Sequence, residues 1–90
     1  MPTILVPGAL RAYCGGADQL RSSAGTIREA LTELERTQPA LYPNICDETG
    51  AVRRHLNVFV NVTNVRDLNG IDTAVADGDE ITILPAVSGG

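Results

Sequence analysis

The chain has 90 residues, of which 43% are hydrophobic and 20% charged, with a formal net charge of −4. That length makes one domain able to bury about 60–65% of the surface its unfolded chain exposes, and the apolar fraction is that of a globule rather than a disordered chain. An aromatic content of 3% and the negative charge exclude a nucleic-acid surface built from basic patches and stacking rings, and no apolar run approaches the ~20 residues needed to span a bilayer.

Met1-Pro2-Thr3-Ile4 lacks the basic and long apolar regions of a secretory signal, so a cytoplasmic location is expected. Thr3-Ile4-Leu5-Val6 begins an apolar strand, expected to continue past Pro7 and Gly8 towards Tyr13, with Pro7 at an edge or irregular position. Cys14-Gly15-Gly16-Ala17 reads as a tight turn, and residues 18–22 as the returning strand of a hairpin. Glycines beside a turn also cradle phosphates, but the lysine of the P-loop pattern is missing, and the turn is the better reading.

Cys14 and Cys46 are too few for a disulfide framework. With His55 the sole histidine, a zinc site would need carboxylates to complete it. Both cysteines read as small, semi-buried structural residues, and no metal site is expected.

Thr26-Ile27-Arg28-Glu29 has the form of a capping box, with Thr26 as N-cap and Glu29 reaching back to its amide. Ile27, Ala30, Leu31 and Leu34 recur at helical spacing, which leaves Arg28, Glu29, Glu33, Glu35 and Arg36 on the solvent side. The helix should run about three turns and stop before Pro39, because a residue preceding proline disfavours α geometry. Its glutamates belong to a solvated face and make no catalytic acid pair.

Residues 39–43 predict a short helical turn and residues 44–50 an acidic loop too short in oxygen ligands for calcium. Arg53-Arg54 reads as a solvated loop edge. Residues 56–62 alternate cleanly: Leu56, Val58, Val60 and Val62 share one face, and Asn57, Phe59 and Asn61 the other. Core packing should claim the first set, which leaves Phe59 as an apolar ring on a partly exposed face. Asn61-Val62-Thr63 matches a glycosylation sequon, read as chance.

A polar connection covers residues 66–73, and Ala76-Asp77-Gly78-Asp79 turns into a last strand over residues 80–84. Ile81 and Ile83 should face the core, with Thr82 and Leu84 on the side of Phe59. The order strand, strand, helix, strand, strand predicts an α+β domain in which one main helix packs across one face of a mixed sheet and leaves the other face partly open.

The chain closes on Val87-Ser88-Gly89-Gly90. Glycine contributes no side chain and loses the most backbone freedom on ordering, so this pair adds little to a core. Two readings stand. A tail without Cβ atoms fits a narrow channel and carries the Gly90 carboxylate into another protein's active site; or the end is frayed, as chain ends commonly are. All seven basic residues are arginines, so an activated terminal carbonyl would meet no internal ε-amine, although arginine usage in a GC-rich genome explains the same composition and is preferred.

Asp77-Gly78-Asp79-Glu80-Ile81 followed by Leu84-Pro85-Ala86-Val87-Ser88-Gly89-Gly90 resembles the ending of the MoaD/ThiS family of ubiquitin-like sulfur carriers, and the resemblance covers essentially the whole chain. It implies a β-grasp (ubiquitin-like) domain over residues 1–86, with a mixed sheet of four to five strands, and a flexible tail over residues 87–90. Ala86 departs from the double proline of the molybdopterin synthase small subunit, and the stretch from Ile45 to Asn61 is longer than in that subunit. Both departures look more like the carriers that supply sulfur for cysteine synthesis.

The resemblance implies that an E1-like enzyme adenylates Gly90 with ATP and magnesium, and that a persulfide or sulfide donor then converts it to a thiocarboxylate. The carrier itself is expected to be no enzyme, with no catalytic residue and no bound cofactor. Val87, Ser88 and Gly89 would be delivered into the partner's active site, and with only about 13–14 Å of extended tail the body must dock closely. Phe59 and Leu84 are the expected contacts; satellite packing under a loop is the alternative for both. Expected partners are the activating enzyme, a pyridoxal-phosphate-dependent cysteine synthase as acceptor and a metal-dependent peptidase that releases product, with no nucleic acid and no membrane. Molybdopterin or thiamin synthesis, conjugation to target lysines through Gly90, and a plain interaction module remain as other readings.

Overall fold

Alternating strands and one amphipathic helix generate the architecture. The computed structural model describes residues 1–85. Its elements are β1 (Thr3–Leu5), β2 (Gln19–Arg21), α1 (Ile27–Thr37), α2 (Tyr42–Ile45), β3 (Leu56–Val60), β4 (Thr63–Asn64) and β5 (Glu80–Pro85). They form a five-stranded sheet in the order β2-β1-β5-β3-β4. β1 and β5 run parallel, and the other pairings are antiparallel. The last strand is therefore the middle one, so its far end emerges from the centre of the sheet and not from an edge.

The period-two pattern of β3 is realised as buried Leu56, Val58 and Val60 with half-buried Asn57 and Phe59 between them. Ile81 and Ile83 of β5 and Ile4 of β1 join the same layer. Across it lies α1, whose Ile27, Ala30, Leu31 and Leu34 are all buried, while Leu41, Ile45 and Cys46 close the end of the core. Complete burial of an aliphatic side chain of this size contributes about 1.5–3 kcal/mol, so this single layer supplies most of what opposes chain entropy.

Helix α1 starts as the sequence predicts, with one change. Thr26 Oγ1 accepts from the Glu29 N–H at 3.1 Å, but Glu29 Oε1 accepts from the Gly25 N–H at 2.8 Å and not from that of Thr26. The chain entering the helix is itself paired: the N–H groups of Ile27 and Val75 donate to Thr73 and Gly25 carbonyls, each at 3.0 Å, so Glu29 satisfies the next donor outward. The helix ends at Thr37, ahead of Pro39.

Four further expectations are corrected. The first strand does not continue towards Tyr13; after Leu5 the chain forms a 3-10 helix over Gly8–Cys14, begun by Pro7 at φ −65° and closed by Gly15 at φ 70°. Leu10 N–H donates to Pro7 O and Arg11 Nε to Val6 O, which turns the chain off the sheet where proline offers no ladder donor. Val62 is not a core residue but 92% exposed. Asn61 adopts φ 54°, a left-handed conformation that asparagine tolerates, and this ends β3 so that Val60 pairs with Thr63 across a two-residue connection. The connection over residues 66–73 is more ordered than a polar loop, with 3-10 turns over Val65–Asp67 and Gly70–Asp72 and with Val65 and Thr73 buried. Both cysteines are free and buried, rather than semi-buried.

Candidate functional site

Strand register builds the face that α1 leaves open. Across β3 and β5, Leu56 lies opposite Pro85, Asn57 opposite Leu84, Val58 opposite Ile83 and Phe59 opposite Thr82. Leu5 of β1 stands beside Thr82 from the other flank. Leu5, Thr82 and Phe59 thus form one row across three strands, all half-buried, with Leu84 in the next row at 44% exposure. Covering what remains of Leu84 by a partner would contribute roughly 1 kcal/mol. Asn57, opposite Leu84, has its Oδ1 buried with no hydrogen-bond partner among the described residues, a costly arrangement unless something else satisfies it.

The sequence placed Phe59 and Leu84 on one face, and the structure brings them together there. The alternation also placed Asn57 on this face, but gave no sign that its Oδ1 would be buried without a partner among the described residues. Leu5 was missed as a member of the face, because the parallel pairing of β1 with β5 is a long-range event with no local signal. Gly90, Gly89, Ser88 and Val87 lie outside the described residues, as does the boundary between the expected domain and tail.

At the other end of β5, the Asp77-Gly78-Asp79 turn is structural. Gly78 holds φ 86°. Asp79 accepts from the Ala76 N–H at 2.9 Å and from Asn61 Nδ2 at 3.2 Å, and Asn61 Oδ1 accepts from the Glu80 N–H at 3.0 Å. The Ala76 amide and then Asn61 hold the Asp79 carboxyl below its usual range. This clasp joins the end of β3 to the start of β5 and fixes the register on which the open face depends.

Two further titratable groups, Cys46 and Glu33, are held by the fold. Burial pushes the Cys46 thiol up to about 11. Glu33 accepts from Ser23 N–H and Oγ, at 3.3 and 2.7 Å, and the hydroxyl bond lowers its pKa. A shallow concavity of about 550 Å³ along this solvent side of α1 is lined by Arg28, Glu29, Glu33 and Arg36. Among the described residues no cluster of three or more His, Cys, Asp or Glu side chains is arranged to hold a metal ion, and no helix is long and apolar enough to cross a membrane.

A mixed five-stranded sheet grasping one principal helix, with a central last strand beside an open apolar face, defines a ubiquitin-like β-grasp domain. Residues 4–90 match the ThiS family model, and the chain belongs to the ThiS family. It is 37% identical over 90 residues to the sulfur carrier protein CysO of Mycobacterium tuberculosis, covering 98% of this chain and 97% of that protein. It is 35% identical over 65 residues to small archaeal modifier protein 3 of Haloferax volcanii, covering 72% and 70% of the two chains. A chain in the crystal structure of the BexX/CysO complex of Amycolatopsis orientalis superposes with a TM-score of 0.88 at 33% identity, covering 100% of both chains.

Proposed function

We propose that this protein is a sulfur carrier whose Gly90 carboxylate is activated by an E1-like enzyme and converted to a thiocarboxylate. The observation that carries this reading is the full-length similarity to CysO on a fold whose central strand ends at Pro85, with residues 86–90 beyond it. Extended, those five residues reach about 17–18 Å, enough to enter an active-site channel while the open face of the sheet rests on the partner.

The chemistry follows from the carboxylate. Hydrosulfide does not displace a carboxylate oxygen unaided. Transfer of AMP from ATP-magnesium to Gly90 releases pyrophosphate and makes that oxygen part of a good leaving group. Attack by hydrosulfide then forms the C–S bond, expels AMP and leaves the thiocarboxylate. Nothing in this sequence asks a side chain of the carrier to move a proton, so the chain is a protein substrate and its partners are the catalysts. Phe59 and Leu84 are the docking contacts in this reading. The resemblance to CysO favours a pyridoxal-phosphate-dependent cysteine synthase as acceptor, a metal-dependent peptidase to free the product, and a cytoplasmic setting where ATP is supplied.

Intact mass of the protein recovered from its own cells tests the reading: a species with one oxygen replaced by sulfur is expected, and removal of Gly90 should abolish it. A truncated chain that still supports sulfur transfer overturns the proposal. The likeness to an archaeal modifier supports a second use, conjugation through Gly90 to lysines of target proteins, for which the diagnostic product is a target peptide carrying a lysine-linked remnant of the tail.

A further inference from the structure

Leu56, the first residue of β3, lies opposite Pro85, so the segment before Leu56 flanks the root of the tail. That segment is a turn closed by the Leu56 N–H donating to Arg53 O at 3.0 Å. Arg53 is not a loose surface charge: its N–H donates to Ile45 O at 2.9 Å and its Nε to Pro43 O at 2.7 Å. Arg66 secures the other side by donating to Leu56 O at 3.3 Å. Asp47, in the preceding loop, has its carboxylate occupied by Thr49 and the Ala51 N–H. The turn is thereby pinned, and its two corner residues, Arg54 and His55, are exposed. Arg54 makes no ion pair with any described residue.

We propose that Arg54, with His55 beside it, is an electrostatic docking contact for a partner protein that carries carboxylates around the mouth of its active-site channel. The inference rests on the carrier reading and adds the chemistry of the partner's rim. In a chain of net charge −4, an acidic rim repels the body as a whole. Other exposed arginines lie elsewhere on the surface, but Arg54 stands in the turn that precedes Leu56, opposite Pro85, so attraction there favours the orientation in which the tail enters first. The ligand proposed for Arg54 is a carboxylate rather than a nucleotide phosphate: five residues span at most about 17–18 Å, and a tail reaching that far into a channel would leave Arg54 at its entrance. Charges at such a rim act on encounter rate and salt dependence.

The test is ATP–pyrophosphate exchange catalysed by the E1-like enzyme of the same organism, with this chain as varied substrate. Arg54→Glu should raise KM about tenfold at about 50 mM salt with kcat within about twofold, and the gap should shrink at about 300 mM as screening shortens the reach of the charge. Arg54→Gln, which only removes the charge, should show a smaller rise and serves if the reversal unfolds the chain. Arg36→Glu, on the solvent side of α1 and so across the sheet from the open face, is the control and should match wild type. An unchanged KM for Arg54→Glu, a loss confined to kcat, or an equal effect from Arg36→Glu overturns the inference while the carrier reading stands. A wild-type chain that supports no exchange overturns both.

Discussion

Phe59 and Leu84 are diagonal neighbours on the open face of the sheet, because Phe59 pairs with Thr82 and Leu84 with Asn57 in the β3–β5 ladder. Diagonal cross-strand side chains stand about 7–8 Å apart, so one apolar partner surface can cover both. If the chain is activated by an E1-like enzyme as proposed, Leu84→Glu should raise its KM with that enzyme about tenfold, while the melting temperature changes little because the site is half exposed. Steady-state kinetics with a thermal melt on the same sample checks both outcomes.

The cap of α1 should be separable from the core beneath it. Thr26→Ala removes the acceptor for the Glu29 N–H and should cost about 1 kcal/mol. Ile83→Ala empties a site that is 1% exposed and should cost about 2–5 kcal/mol. Urea titration followed by circular dichroism gives both values; a larger loss at Thr26 than at Ile83 would contradict the packing described above.

Acid should loosen the clasp between β3 and β5. The Asp79 carboxyl is held below its ordinary range in the folded chain, so its contribution is present above the unfolded value of about 3.9 and is lost as pH falls through the folded one. The urea midpoint should therefore drop on acidification below about pH 4, and less steeply in Asp79→Asn, which has no such charge to lose. Equal slopes for the two proteins would refute this role.

Native Cys46 should be inert to alkylation. It is 1% exposed, and with its thiol pushed up to about 11 only about one part in a thousand is thiolate at pH 8. Iodoacetamide labelling followed by peptide mass analysis should find Cys46 modified at the rate of global unfolding, and rapidly once denaturant is added.

Local patterns carried much of the architecture. The spacing of Ile27, Ala30, Leu31 and Leu34 located α1, the alternation from Leu56 to Val60 located β3, and the tail motif pointed to the family. The failures share a cause. Val62 continues the alternation, yet it leaves the core because Asn61 takes a left-handed turn that pairs Val60 with Thr63. The apolar run from Thr3 looks able to continue past Pro7 towards Tyr13, yet at Pro7 the chain enters a 3-10 helix. In each case a backbone event at one residue overrode a pattern that extended past it.

By itself the amino-acid sequence determined which residues are apolar on which side of most elements and where the main helix begins and ends, and its tail motif singled out Gly90 as the group to test. Those are local matters, set by periodicity, capping and proline. Tertiary structure alone decided that β5 is central, that Leu5 joins Phe59 and Leu84 on one face, and that the Arg54 corner stands at the tail root. Each depends on pairing between residues far apart in the chain, chosen by which register buries Ile4, Val58 and Ile81 together. A one-residue slip would turn every one of those side chains to the opposite face.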